Sequence, residues 1–214
     1  MAERPVGDRA GERARLTFRR LSGLDRSGPP PPETLRGQPL HPWTIPNAID
    51  YARLALIPVF LAIAFSSGDG QDWRATLIFA VVGWSDYLDG IAARVTGQYS
   101  RFGALLDPVV DRLLVLSGVV VCWHFELVPR WLLAVLVARE VAILVLARVA
   151  LQHGRDLEIN WPGRAAVWPV MGGIFFALTG LEGLATALLI VGLALALLAL
   201  ALYVREGLQP STLR

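Results

Sequence analysis

Residues Ser85–Leu114 read SDYLDGIAARVTGQYSRFGALLDPVVDRLL, and the four aspartates in this stretch decide the fold. Apolar sequence lies on both sides, so Asp86, Asp89, Asp107 and Asp111 fall in or beside segments suited to a lipid environment. One ionised Asp at the centre of a membrane helix costs about 2.5–3.5 kcal/mol on insertion scales. Four unpaired would cost on the order of 10 kcal/mol, comparable to the whole stability of a folded domain. They therefore need a shared partner, and their spacing shows how they reach one. Asp86 and Asp89 lie one turn apart on a helix, and Gly90 and Arg94 continue that face. Gly103, Asp107 and Asp111 form a second row at four-residue steps. Between the rows Val95–Phe102 is short and polar, with Thr96, Gly97, Gln98 and Ser100, which predicts an antiparallel helical hairpin. Four carboxylates gathered in this way call for metal, and all-oxygen ligation favours Mg²⁺ or Mn²⁺ over zinc. Gly90 and Gly103 remove side chains where a phosphorylated ligand would approach the backbone. Arg94 is placed to contact a phosphate.

Outward from this stretch, the chain of 214 residues is 54% hydrophobic, with a mean hydropathy of +0.50. Runs able to cross a hydrocarbon core need about 20 apolar residues. Six occur, at 46–66, 75–94, 103–124, 128–150, 165–181 and 184–204. The expected fold is all-α: a polytopic membrane domain over 46–205 with six transmembrane helices and a cytosol-facing active site. Residues 1–45 hold eight Arg, a Pro29–Pro32 run and no apolar stretch resembling a signal sequence. They are expected to form a cytosolic tail, disordered or lying on the membrane surface, with 206–214 a second cytosolic tail.

All 20 basic side chains are Arg, and the formal charge is +2. Arg is concentrated in the first tail and near Arg94, Arg101, Arg148, Arg155, Arg164, Arg205 and Arg214, whereas only Arg74 and Arg130 fall on the alternate loops. The positive-inside rule then puts both termini in the cytosol, with the protein in the inner (cytoplasmic) membrane. No basic patch interleaved with aromatic residues points to nucleic acid. A lone cysteine, Cys122, excludes an intrachain disulfide framework.

The pattern DxxDGxxAR, eight residues, then GxxxDxxxD resembles the signature of the CDP-alcohol phosphotransferases at Asp86, Asp89, Gly90, Ala93, Arg94, Gly103, Asp107 and Asp111. The resemblance implies a six-helix membrane fold, a homodimer and a binuclear Mg²⁺ or Mn²⁺ site. It implies that Asp86 and Asp107 bridge two cations, that Asp89 completes one site, and that Asp111 touches the other while serving as general base. It implies that Gly90, Arg94 and Ser100 help hold the CDP moiety of CDP-diacylglycerol; Ser100 stands where Thr is commoner. Thr44–Phe60, TIPNAIDYARLALIPVF, is similar to the opening helix of phosphatidylglycerophosphate synthases and CMP-forming cardiolipin synthases, in which Asn47 and Arg53 would line the nucleotide site. Asp50 departs from the usual Thr or Ser. Asn47 has helix-end capping as its plain alternative, and Arg53 is expected to be buried against an acidic partner.

VAREVAIL around Arg139 and Glu140 resembles a motif of phosphatidylglycerophosphate synthases. Arg139, Arg148 and Arg164 could together receive the phosphate of an acceptor; a structural ion pair and positive-inside anchors are the competing readings. His124 and His153 lack ligand spacing, and Trp123, Trp131, Trp161 and Trp168 suit the membrane interface. The favoured expectation is transfer of the phosphatidyl group of CDP-diacylglycerol to glycerol 3-phosphate, with release of CMP. A CMP-forming cardiolipin synthase taking phosphatidylglycerol is the alternative within the class. A cation transporter is the alternative outside it, since intramembrane carboxylates also mark ion paths. A transporter, however, has no need of the fixed Asp-Gly and Ala-Arg pairings.

Overall fold

The computed structural model of the protein describes residues 39–152 and 161–208. Among them are six helices and no strand: α1 Ile45–Ser66, α2 Trp73–Thr96, α3 Arg101–His124, α4 Arg130–Gln152, α5 Trp161–Leu178 and α6 Glu182–Leu208. They match the six apolar runs one for one, each boundary within a few residues. The two tails fall mostly, and His153 wholly, outside the described residues.

Helix ends follow local chemistry. Thr44 caps α1, its Oγ1 accepting from the Asn47 amide at 3.3 Å, and Pro46 occupies the first turn, where its missing N–H is no loss. Asp72 caps α2 in the same manner, its Oδ1 2.6 Å from the Arg74 amide. At the other end of α2 the helix stops at Thr96, and Gly97 takes φ +67°, a left-handed conformation that a Cβ would oppose. Three residues later Ser100 caps α3 through its hydroxyl, 2.9 Å from the Gly103 amide. The hairpin expected between Val95 and Phe102 is thus made by a glycine stop and a serine start.

The described residues divide into two compact units. Residues 39–53 and 84–110 form the first, which contains the hairpin; residues 54–83, 111–152 and 161–208 form the second. The second unit carries the larger core. Phe60, Phe79, Leu114, Leu132, Leu133, Ile174 and Leu178 are fully buried in it, with the Phe60 and Phe79 rings 5.5 Å apart. Small residues permit the close approaches: Ala75, Ala177, Ala185 and Ala199 are buried, and α5 packs along α6. Burying such residues between helices is the usual way helices approach one another in lipid, where no hydrophobic force drives them together.

Apolar side chains also cover the outside. Leu77, Val81, Leu144, Val145, Ile190, Val191 and Leu198 are all exposed. A helix that is apolar on its outer as well as its inner face belongs in a membrane rather than in water. Helices α1 and α2, and Glu182–Arg205 of α6, are long and apolar enough to cross one; the apolar part of α5, Gly163–Leu178, is shorter. The chain is a membrane protein. α3 and α4 stand apart because each carries charges in its apolar length: Asp107, Asp111 and Arg112 in α3, and Arg139, Glu140 and Arg148 in α4.

Candidate metal and substrate site

The first unit gathers polar side chains that would be untenable singly. Three residues on the opening turns of α1, Asn47, Asp50 and Arg53, are each 2% exposed or less. Their spacing puts all three on one helix face. A guanidinium taken so far from water needs compensating charge, and Arg53 has three carboxylates around it. Its Nη1 lies 3.1 Å from Asp50 Oδ1 and 3.2 Å from Asp107 Oδ1, and its Nη2 lies 3.5 Å from Asp86 Oδ1. Asp86 arrives from α2 and Asp107 from α3, so one arginine joins three helices at this end.

The two ends of this network differ in their access to water. Asp50 is closed in with Arg53, whereas the side chains of Asp86 and Asp107 are 45% and 43% exposed. Each of the latter offers a carboxylate oxygen, and these lie within 4.8 Å of one another. One turn further along the continuous helix α3 stands Asp111. Octahedral Mg²⁺ holds oxygens at 2.0–2.1 Å, so two ligands sit at most about 4.2 Å apart. The carboxylate oxygens, within 4.8 Å of one another, lie close to that range. Hard anionic oxygens, partial exposure and excess negative charge together fit a divalent cation. The side chain of Asp89 lies outside the described residues.

A second cluster occupies the start of α3. Ser100 donates its hydroxyl to Asn47 Oδ1 at 3.0 Å. The Asn47 Nδ2 donates to the carbonyls of His41 and Pro42, at 3.2 and 3.0 Å. The carboxamide is therefore fully used in tying the segment before α1 to the hairpin. Gln98 adds to this by accepting from the Ile45 amide at 3.0 Å. Gly103 faces the same carboxamide across a gap with no room for a methyl group. Asn47, Ser100 and Gly103, expected from the resemblance or the spacing to face CDP, thus meet one another in a structural knot. Arg94 and Gly90 also lie together: a Cβ on Gly90 would sit 3.4 Å from Arg94 Nη2, so the guanidinium folds back over the glycine.

The three arginines considered for an acceptor phosphate are all in the second unit, in unlike settings. Arg139 pairs with Glu140 and donates through Nε to the Ala196 carbonyl of α6 at 3.3 Å. Glu140 is also 3.9 Å from Arg112. Arg139 thus pairs within α4 and also ties α4 to α6 through the Ala196 carbonyl. Arg148 and Arg164 are exposed. Of the interfacial tryptophans, Trp123, Trp131, Trp161 and Trp168 are all exposed, as a lipid-boundary position requires.

Asp50, which departs from the usual Thr or Ser, is an acidic partner of Arg53, a link that sequence reasoning misses. The signal was present, since an acid and a base three apart in an apolar helix sit within reach of each other.

The family model described as CDP-alcohol phosphatidyltransferase matches residues 43–202, which include the site, α1 to α5 and most of α6. A cardiolipin synthase (CMP-forming) of Streptomyces coelicolor is 42% identical over 132 residues, covering 60% of this chain and 61% of the relative. A CDP-diacylglycerol–glycerol-3-phosphate 3-phosphatidyltransferase of Bacillus subtilis is 30% identical over 138 residues, covering 59% and 72%. The enzyme of the same name from Escherichia coli K12 is 33% identical over 128 residues, covering 57% and 69%. The chain spans about three fifths of the length of the Streptomyces relative. With the aspartate rows, the membrane helices and a family match along most of its length all in agreement, the chain belongs to the CDP-alcohol phosphatidyltransferase family.

Proposed function

We propose that the protein transfers the phosphatidyl group of CDP-diacylglycerol to a glycerol-based alcohol and releases CMP. The observation that carries this reading is the cluster at the water-accessible end of the Arg53 network, where the carboxylates of Asp86 and Asp107 come together. Asp86, Asp107 and Asp111, with Asp89 on the α2 row, would hold two divalent cations, Mg²⁺ or Mn²⁺. Such ions, when bound, neutralise a pyrophosphate and stabilise the charge that develops during transfer.

The residues of the chain supply the remaining steps. Arg94, lying over Gly90, is placed to turn towards a phosphate oxygen of the CDP moiety. Asp111 is only partly exposed and takes the proton from the acceptor hydroxyl as that oxygen attacks the phosphorus nearest the lipid. The bond from that phosphorus to the CMP oxygen breaks, and CMP leaves with the electron pair. Each turnover joins one alcohol to one phosphatidyl group and frees one CMP and one proton. The diacylglycerol tails remain in the bilayer throughout, which is the advantage of building such a site among membrane helices. The Arg distribution supports six spans, a site at the cytosolic face of the inner membrane and both termini in the cytosol. A homodimer is part of the same family-based reading.

Two acceptors compete. Glycerol 3-phosphate is the acceptor expected from the opening helix and the Arg139–Glu140 pair, and the relatives from B. subtilis and E. coli carry it in their names. Phosphatidylglycerol gains support from the 42% identity to a CMP-forming cardiolipin synthase and from Arg139, whose guanidinium is engaged by Glu140 and Ala196.

The test is CMP release by the purified protein in phospholipid nanodiscs containing CDP-diacylglycerol, with each acceptor added separately. Release with one of the two, stopped by EDTA and restored by Mg²⁺ or Mn²⁺, is the expected result. No release with either acceptor at saturating metal removes the assignment.

A further inference from the structure

We propose that Asp50, buried against Arg53 and outside the cluster of accessible carboxylates, is a positioning residue that keeps Arg53 from neutralising the cation site. This rests on the reading of Asp86 and Asp107 as metal ligands, and deepens it. Arg53 and Asp50 are 1% and 3% exposed in their side chains, and their contact is 3.1 Å. The same Nη1 lies 3.2 Å from Asp107, and Nη2 lies 3.5 Å from Asp86. Arg53 is thus shared between a buried acid on its own helix and two accessible acids on other helices.

Asp50 offers the guanidinium a buried negative charge beside the accessible ones of Asp86 and Asp107. Without the Asp50 charge, the guanidinium is drawn more strongly to those two carboxylates, and an incoming cation must compete with a resident one. Burial strengthens the effect, because charges held away from water interact through a low effective dielectric.

The experiment is Mn²⁺ binding to the purified, substrate-free protein in nanodiscs, read as free Mn²⁺ by electron paramagnetic resonance. Asp50→Asn is expected to weaken Mn²⁺ binding about tenfold or more, and Asp50→Glu to hold it within about threefold. The double variant Asp50→Asn/Arg53→Gln restores the charge balance and should recover affinity to within about threefold of wild type. Arg53→Gln alone removes the resident cation and should tighten binding. A purely structural role for the pair predicts the opposite for these two variants: no recovery in the double variant, and looser binding in Arg53→Gln.

Unchanged affinity in Asp50→Asn, or a double variant no better than the single, overturns the proposal. If Asp50→Asn does not fold, the sign of the change in Arg53→Gln decides: tighter binding supports the proposal and weaker binding overturns it. Asp86→Asn and Asp107→Asn separate the two claims. Wild-type Mn²⁺ binding in both would remove the metal reading itself, whereas lost binding in both beside an unaltered Asp50→Asn removes only the part given to Asp50.

Discussion

Gly90 and Gly103 occupy equivalent places in the two aspartate rows, and the structure assigns them different work. A Cβ built on Gly103 lands on the Asn47 carboxamide oxygen at less than van der Waals distance and lies 3.1 Å from Ser100 Oγ. Asn47 is 1% exposed, and its Nδ2 is tied to two backbone carbonyls, so it has nowhere to retreat. Gly103→Ala must therefore displace the carboxamide and break its bond from Ser100. Overpacking of this kind costs about 1–3 kcal/mol, and the disrupted buried hydrogen bond about 1–3 kcal/mol more. The better helix propensity of Ala returns about 0.5–1 kcal/mol, leaving a net loss of roughly 2–4 kcal/mol. At Gly90 the nearest atom to an added Cβ is Arg94 Nη2 at 3.4 Å, the mobile tip of a long side chain. Gly90→Ala should leave stability within about 0.5 kcal/mol of wild type, or raise it slightly. Reversible unfolding of the detergent-solubilised protein, followed by circular dichroism, measures both. Equal stability of the two variants would refute the reasoning, and so would a Gly103→Ala protein as stable as wild type. A folded Gly90→Ala protein with reduced CMP release would then report a ligand approaching that backbone.

Two further outcomes are expected. Asp111→Asn should lower CMP release by about 10²–10⁴-fold, the usual contribution of a general base, with CDP-diacylglycerol binding retained; full activity there removes Asp111 from that role. Arg139→Ala should destabilise the protein by about 1–3 kcal/mol, because Glu140 and the Ala196 carbonyl each lose a donor, while KM for glycerol 3-phosphate stays unchanged. A rise in KM without loss of stability would return Arg139 to the acceptor pocket.

Much of this protein was legible from spacing alone. Helix periodicity is a local property, so the Asp86 and Asp107 rows, and the polar break between them, could be read without knowing any tertiary contact. The apolar runs likewise foretold all six described helices, because a long apolar segment leaves a plain mark in composition. Capping by Thr44 was readable for the same reason: its partner is three residues away.

Contacts between distant segments were decided only by the folded structure. The sequence marked Arg53 as in need of an acid and held Asp50 within its reach, but the choice of Asp86 and Asp107 came from three helices meeting in one unit. Asn47 and Ser100 are 53 residues apart, and nothing in either local pattern announces that they bond to each other. Arg139 shows the same division: its charge in an apolar helix signals a need for partners, and the Ala196 carbonyl 57 residues away is one that only the fold supplies. A sequence states which groups cannot be left alone in a membrane. Tertiary structure chooses their partners, because that choice depends on which backbones come close enough to exclude water between them.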